Sequence, residues 1–268
     1  MKLDSLLIIG CGNMAGAMLD GWLAGGIAAE RFTVLDPHAK ERRANVRWLD
    51  ALPGQEHFDA VLVGIKPQGL ADLAPQVAPL AREGTIVLSI LAGVELAVLE
   101  EHFPNAAGWV RIMPNLAAAL GKSPLALASG RLDPAAQNAV AALLDPLGTP
   151  EWFEEGDFDA VTALAGSGPA FVYRFIDALA QAGAELGLPA DKAARLALAT
   201  VEGAAALASA SPHDPGELAR RVASPGGVTQ AGLDALDEGD ALGRLIGRTL
   251  RAARDRSARM AAQARARG

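Results

Sequence analysis

One cysteine, Cys11, stands in a chain of 268 residues, so no internal disulfide can form and a reducing compartment is expected. Aromatic residues make up only 4% of a sequence that is 51% apolar. The core must therefore be built from Ala, Leu and Val, which suits closely packed helices. Positive charge is also in short supply. The net charge of −7 argues against a nucleic-acid partner or a basic membrane-surface protein. The apolar run Leu3–Ile9 is broken by Asp4 and is too short for a signal peptide, and no stretch reads as the ~20 apolar residues of a membrane span. The expected location is the cytoplasm. His38, His57, His102 and His213 fall in loops or at element ends without ligand spacing, and neither a P-loop nor a Ser/His/Asp set is present, so no metal is expected.

What is present begins with Leu6-Leu7-Ile8-Ile9, a continuous apolar run of the kind that forms a central parallel strand buried on both faces. It enters Gly10-Cys11-Gly12-Asn13-Met14-Ala15 and then a helical pattern carrying Met18, Leu19, Trp22 and Leu23. This is the G-x-G-x-x-(G/A) dinucleotide fingerprint in a strand–turn–helix setting. Gly10 permits the tight turn, Gly12 lets the backbone reach a pyrophosphate, and Ala15 lets helix and strand pack closely. Cys11 is read as a small spacer in that loop. A second strand, Phe32–Leu35, ends at Asp36, whose carboxylate can accept hydrogen bonds from the adenine ribose and would repel a 2′-phosphate. Lys40, Arg42 and Arg43 follow closely. They stand either as the solvated face of a short helix or as a phosphate site, so the cofactor is NADH or NADPH, with Asp36 leaning to NADH.

Further strands are read at Ala60–Ile65, Thr85–Ile90, Trp109–Met113, Leu125–Ala128 and Gly148–Phe153. In an open parallel sheet ligands lie beyond the carboxyl ends of the strands. That places Lys66 and Asn115 among the candidates for cofactor ribose and nicotinamide contacts, although K-P and P-N are also ordinary turn dipeptides. After the acidic link Glu154–Asp157 the strand signals stop, which sets an expected boundary: a dinucleotide-binding α/β domain over 1–156 and an all-α domain over 157–268. In the second half, Phe171, Phe175, Leu179, Ala182 and Leu186 form a stripe expected to face a core. A nearly featureless Ala/Leu helix capped by Asp191 follows, and its all-round apolar surface implies burial against a second subunit, with Glu202 as an interior or edge charge. Asp214-Pro215-Gly216-Glu217 reads as a capping box before a short helix, and Arg244, Arg248, Arg251 and Arg259 as the solvated face of the last helix. Between them lies Ser224-Pro225-Gly226-Gly227-Val228-Thr229, where bare backbone and a helix start favour an anion. No base of the kind an alcohol dehydrogenase needs is apparent. Reduction of a polarised C=N bond fits better, because it requires mainly hydride delivery and charge placement.

Taken together, Gly10-Cys11-Gly12-Asn13-Met14, Ile65-Lys66-Pro67-Gln68, Ala92-Gly93-Val94, Arg111-Ile112-Met113-Pro114-Asn115, Leu164–Phe171 and Ser224–Thr229 resemble, in order, the motifs of the pyrroline-5-carboxylate reductases. The resemblance spans most of the chain. It implies a Rossmann-type NAD(P)-binding domain followed by an all-α dimerisation domain that interlocks with its counterpart, in a homodimer that can assemble into larger rings. The implied activity is the last step of proline biosynthesis, reduction of 1-pyrroline-5-carboxylate to L-proline by NADH or NADPH. Carried over residue by residue, the nucleotide rests on Gly10, Cys11, Gly12, Asn13, Met14, Asp36, Lys66, Pro67, Ala92, Gly93 and Asn115. The substrate carboxylate rests on the backbone of Gly226, Gly227, Val228 and Thr229, with Ser224 and Thr229 as the candidate catalytic side chains and the Ser224 block meeting the partner subunit's nicotinamide. Three positions depart from the family's usual pattern: Asp36 where a small or neutral residue is common, a short segment between His38 and Asp59, and Val228 in place of Thr or Ala. The alternatives are a reductase of a related cyclic imine, a two-domain hydroxyacid dehydrogenase, and a non-catalytic NAD(H) sensor. The region of Arg174 holds no lysine until Lys192, which counts against the hydroxyacid reading, and the intact Gly226–Thr229 motif counts against the sensor.

Overall fold

Leu6–Ile9 (β1) is a strand whose alternate residues serve two cores: Leu6 and Ile8 join one apolar cluster, Leu7 and Ile9 the other. That division follows from the period of two in a strand and makes β1 the centre of a sheet covered on both faces. The computed structural model describes residues 2–265. Parallel to β1 run Phe32–Leu35 (β2) on one side and Ala60–Val63 (β4) on the other, in register through Ile9↔Leu35 and Ile9↔Val63. Arg47–Leu49 (β3) extends the sheet beyond β2, and Ile86–Ser89 (β5) and Gly108–Met113 (β6) extend it beyond β4. Ser123–Gly130 (β7) returns antiparallel to β6, and Gly148–Trp152 (β8) lies parallel to β7. The order is β3-β2-β1-β4-β5-β6-β7-β8, a doubly wound sheet whose direction of winding reverses between β1 and β4. A ligand crevice is expected at such a switch point.

One face is packed by Asn13–Ala24 (α1) and Pro134–Leu144 (α4) through Met18, Trp22, Val140 and Leu144. Leu70–Val77 (α2) and Leu96–His102 (α3) supply Leu70, Val77 and Leu99 to the other. α4 starts at an Asp-Pro pair. Asp133 Oδ1 accepts from the Ala136 N–H at 2.7 Å, and Pro134 takes the first helical position, where no N–H is needed. β3 has no counterpart in the sequence reading, and the short helix considered for Lys40, Arg42 and Arg43 does not form; residues 36–46 are turns and extended chain. The chain runs as β3 along the free edge of β2 instead.

The compact units meet at Gly166/Ser167, ten residues beyond the boundary expected from the loss of strand signals, and residues 253–265 group with the first unit. The reason is packing: Phe158–Val161 (α5) and the π-helical turn Thr162–Gly166 bring Phe158, Val161 and Ala163 into the first unit's core. In the second unit, Gly168–Glu185 (α6) packs on Ala190–Ala210 (α7), followed by Pro215–Val222 (α8), Val228–Asp237 (α9) and the first half of Ala241–Arg265 (α10). Pro189, not Asp191, takes the cap position of α7, and Asp191 pairs with Arg195 within the first turn instead. Asp214 caps α8 through the Glu217 N–H at 2.9 Å, while the Glu217 carboxylate turns to Arg220 and Arg221 instead of closing the box.

The α6 stripe does not face a core within this chain. Phe175 is 53% exposed and Leu186 88%. In α7 only Ala193 and Ala197 are buried, and Glu202 is exposed. By length and composition alone α7 is apolar enough to cross a membrane, contrary to the sequence reading; it also carries Asp191, Lys192, Arg195 and Glu202.

Candidate active site

The parallel strands β1, β2, β4, β5 and β6 all end at one edge of the sheet, and the loops that leave that edge hold the predicted nucleotide residues. Gly10 continues the ladder by donating to the Leu35 carbonyl at 2.9 Å, then turns at φ +81, where a Cβ would stand 2.9 Å from Ile65 Cγ2. Only glycine meets both demands. Gly12 caps α1 in extended conformation with no side-chain cap, and the space where its side chain would stand is open. The first bond of α1 is the Gly16 N–H to the Gly12 carbonyl at 2.7 Å, so the N–H groups of Asn13, Met14 and Ala15 precede the ladder and point out of the helix start. Bare backbone, unpaired donors and the positive end of a helix dipole fit a dinucleotide pyrophosphate.

Asp36 lies beside this turn. Its Oδ2 accepts from the Cys11 N–H at 2.8 Å and its Oδ1 from the His38 N–H at 2.9 Å. A carboxylate has about four acceptor positions, so two remain for ribose hydroxyls. Cys11 is half-buried, and burial pushes its thiol up; Arg43 pulls it down, and Asp36 and Asp20 add to the rise. Of the basic residues that follow Asp36, Arg42 and Arg43 are paired, and Lys40 has no carboxylate within 4.0 Å among the described residues. Arg43 forks onto Asp20 of α1 at 2.8 and 2.9 Å, and that hydrogen bonding, against a smaller cost of burial, drives its pKa further up. Arg42 pairs with Asp50 and lies over the Trp48 ring.

Lys66 leaves β4 as the cap of a short 3-10 turn at Pro67–Gly69; it is exposed and, among the described residues, has no carboxylate within 4.0 Å. Ala92 is exposed, whereas Gly93 is buried beneath the end of α10, with the Ala261 backbone 3.4 Å from where its Cβ would be. Asn115 reaches the same edge, and each end of its amide makes one hydrogen bond. Oδ1 accepts from the Ala117 N–H at 2.9 Å and Nδ2 donates to the Ala165 carbonyl at 3.2 Å. Its backbone carbonyl accepts from Ala118, as in the turn chemistry foreseen as its alternative, and one Nδ2 hydrogen and one Oδ1 lone pair have no partner among the described residues.

Sequence reasoning missed a pair, Arg111 buried and Glu155 partly so, that supports this edge. Arg111, 3% exposed, donates to Glu155 Oε1 at 2.7 Å and lies over the Phe158 ring at 4.5 Å. The same oxygen accepts from the Leu96 N–H at 3.2 Å, tying β6 to the start of α3 just past Ala92-Gly93. Two signals were available, a charged residue inside an apolar strand and an acidic run after the last strand.

In the second unit, the Gly227 N–H turns back to the Ser224 carbonyl at 2.9 Å, with Gly226 at φ +69. The expected carboxylate cradle therefore loses one of its donors. The first bond of α9 is Ala231 N–H to Gly227 carbonyl, which leaves the N–H groups of Val228, Thr229 and Gln230 ahead of the ladder. Gly227, not Thr229, is the cap, and Thr229 is the second helical residue. Ser224 and Thr229 are exposed and Val228 is 95% exposed. Among the described residues no group of three His, Cys, Asp or Glu side chains is placed to hold a metal.

Residues 155–260 match the model of pyrroline-5-carboxylate reductase dimerisation domains, and residues 5–93 that of coenzyme F420-dependent NADP oxidoreductases. The pyrroline-5-carboxylate reductase of Pseudomonas aeruginosa is 35% identical over 98% of this chain and 99% of its own length. Among solved structures, the Coxiella burnetii pyrroline-5-carboxylate reductase superposes with a TM-score of 0.90 at 26% identity, covering 97% of this chain and 99% of that one. The Plasmodium falciparum enzyme with NADP bound gives 0.83 at 25% identity, covering 97% and 99%.

Proposed function

This chain belongs to the pyrroline-5-carboxylate reductase family, and on that premise we propose how its residues divide the reduction of 1-pyrroline-5-carboxylate to L-proline. The enzyme is an NAD(P)H-dependent oxidoreductase that works as a dimer. When bound, the nicotinamide cofactor supplies the hydride that reduces the C=N bond. Gly10, Gly12, Asn13 and Met14 hold its pyrophosphate, Asp36 its adenine ribose, and Lys66, Pro67, Ala92 and Gly93 line the rest of the strand edge. Asn115 acts by shaping its own turn.

The N–H groups of Val228 and Thr229 hold the substrate carboxylate at the start of α9, and the Thr229 hydroxyl orients the ring. Gly226 and Gly227 shape the turn, and Ser224 anchors it through its carbonyl. The turn Ser224–Thr229 carries no titratable side chain. The ring nitrogen therefore arrives protonated or takes its proton from water beside Thr229, C5 accepts the hydride, and the electron pair of the C=N bond passes to nitrogen. Orientation of this kind supplies on the order of 7–11 kcal/mol of the barrier. The chain acts in the cytoplasm on this reading.

NADH is the preferred cofactor on this reading, because Asp36 stands at the end of β2 while Arg42 and Arg43 are neutralised by Asp50 and Asp20. The observation that carries the reading is the set of unpaired N–H groups at two helix starts, α1 and α9, together with the family's motifs around them. Oxidation of NADH and of NADPH by the purified protein with pyrroline-5-carboxylate tests it: turnover with a higher kcat/KM for NADH is expected, and no turnover with either overturns the substrate assignment. Thr229→Ala should lower turnover at least ~10-fold, the worth of a charge-assisted hydrogen bond, with the NADH Kd nearly unchanged. Collapse of NADH binding in that variant would move Thr229 out of the substrate site.

A further inference from the structure

The Arg43–Asp20 fork sits beside the residues that receive the adenine ribose. Asp20 is one helical turn past Gly16 on α1, and a side chain at Gly16 would stand 3.2 Å from Arg43 Nη2, so the guanidinium lies along the helix where glycine leaves room. Three of its donors are in use: Nε and Nη2 on the two Asp20 oxygens at 2.8 and 2.9 Å, and Nη1 on the Glu41 carbonyl at 3.1 Å. The backbone is held as well, since the Arg43 carbonyl accepts from the Trp48 indole at 3.2 Å. Its charge reaches the Cys11 thiol, and Cys11 is bonded through its N–H to Asp36. One cation and one carboxylate thus flank the same loop, and a second carboxylate decides which of them faces the ligand.

We propose that Asp20 determines cofactor specificity as a positioning residue, by holding the Arg43 guanidinium against α1 so that Asp36 alone faces the adenine ribose 2′ position. An arginine freed of its carboxylate is the side chain best suited to a phosphate, through planar bidentate hydrogen bonds. Asp20 therefore keeps a 2′-phosphate site closed that this chain already contains. The inference rests on the NADH reading of Asp36, and the two are separable because the wild-type preference tests Asp36 whereas the change on substitution tests Asp20.

The experiment is calorimetric titration of wild type, Asp20→Asn, Arg43→Ala and the double variant with NADH and with NADPH, alongside kcat/KM for each cofactor and a thermal melt. In Asp20→Asn the NADPH:NADH ratio of association constants should rise about 10-fold with NADH affinity little changed, as expected of one new charge-assisted phosphate contact. The double variant should return to the wild-type ratio. Arg43→Ala alone should also keep the wild-type ratio, since a clamped cation contributes nothing to either ligand, and this variant decides the matter should Asp20→Asn fail to fold. An unchanged ratio in folded Asp20→Asn, a raised ratio that persists in the double variant, or a fall in NADPH affinity in Arg43→Ala would each overturn the proposal.

Discussion

Asp36 carries two backbone N–H groups on its carboxylate, and so the residue read as a ribose contact also fixes the glycine-rich loop. Position after β2 was enough to pick it out, but its bond to Cys11 depends on two loops meeting and has no signature in the sequence. Gly10 is the opposite case: the fingerprint identified it, and the structure supplies the reason in φ +81 and the neighbouring Ile65. Gly10→Val should therefore lose NADH affinity by at least ~10-fold and destabilise the fold by ~2 kcal/mol or more, because a β-branched residue is forced into the left-handed region. Calorimetry and a denaturant titration read the two effects separately. A variant with wild-type affinity would show that the turn is not the pyrophosphate site. Asn115 was singled out by its place at the end of a strand, which told its location correctly but not that its side chain also caps the turn and reaches the Ala165 carbonyl.

At the scale of elements, β1, β2, β4, β5 and β6 were legible because short, mostly apolar runs bounded by turn residues have few other readings. β3 was not: Arg47-Trp48-Leu49 is three residues long, partly exposed, and becomes a strand only because β2 offers it a free edge. A helix start was legible at Asp214, where a side chain caps it as at Asp133, and missed at α7, where Pro189 rather than Asp191 holds the cap position. Asp133→Ala should lower stability by about 1 kcal/mol, the usual worth of a cap, with cofactor affinity unchanged. A denaturant titration at constant m-value would check it, and no loss would mean that Pro134 alone starts α4. The end of α10 is a subtler case. Its arginines announce a solvated face, but nothing in the pattern tells that its last turns cover Gly93, or that Ser257 donates to Asp159 at 2.6 Å.

For the whole molecule, the second unit exposes Tyr173, Phe175, Leu179 and Leu196 in a single chain. Apolar surface on this scale marks an interface, and the match of residues 155–260 to a dimerisation domain says which kind. Phe175→Glu should weaken the dimer by at least ~100-fold in Kd, since an unpaired charge would have to be buried in it. Sedimentation velocity over a concentration series reads the shift, and an unchanged dimer would place Phe175 outside the interface. Sequence by itself determined the class of fold and the family, because these depend on local patterns: strand runs, a glycine turn, and short motifs of particular residue types. Tertiary structure alone decided which carboxylate holds which arginine, that residues 253–265 join the first unit, and that the α6 stripe has no core of its own chain to face. Those outcomes depend on side chains far apart in sequence arriving at one place, and no periodicity records where a distant partner will be.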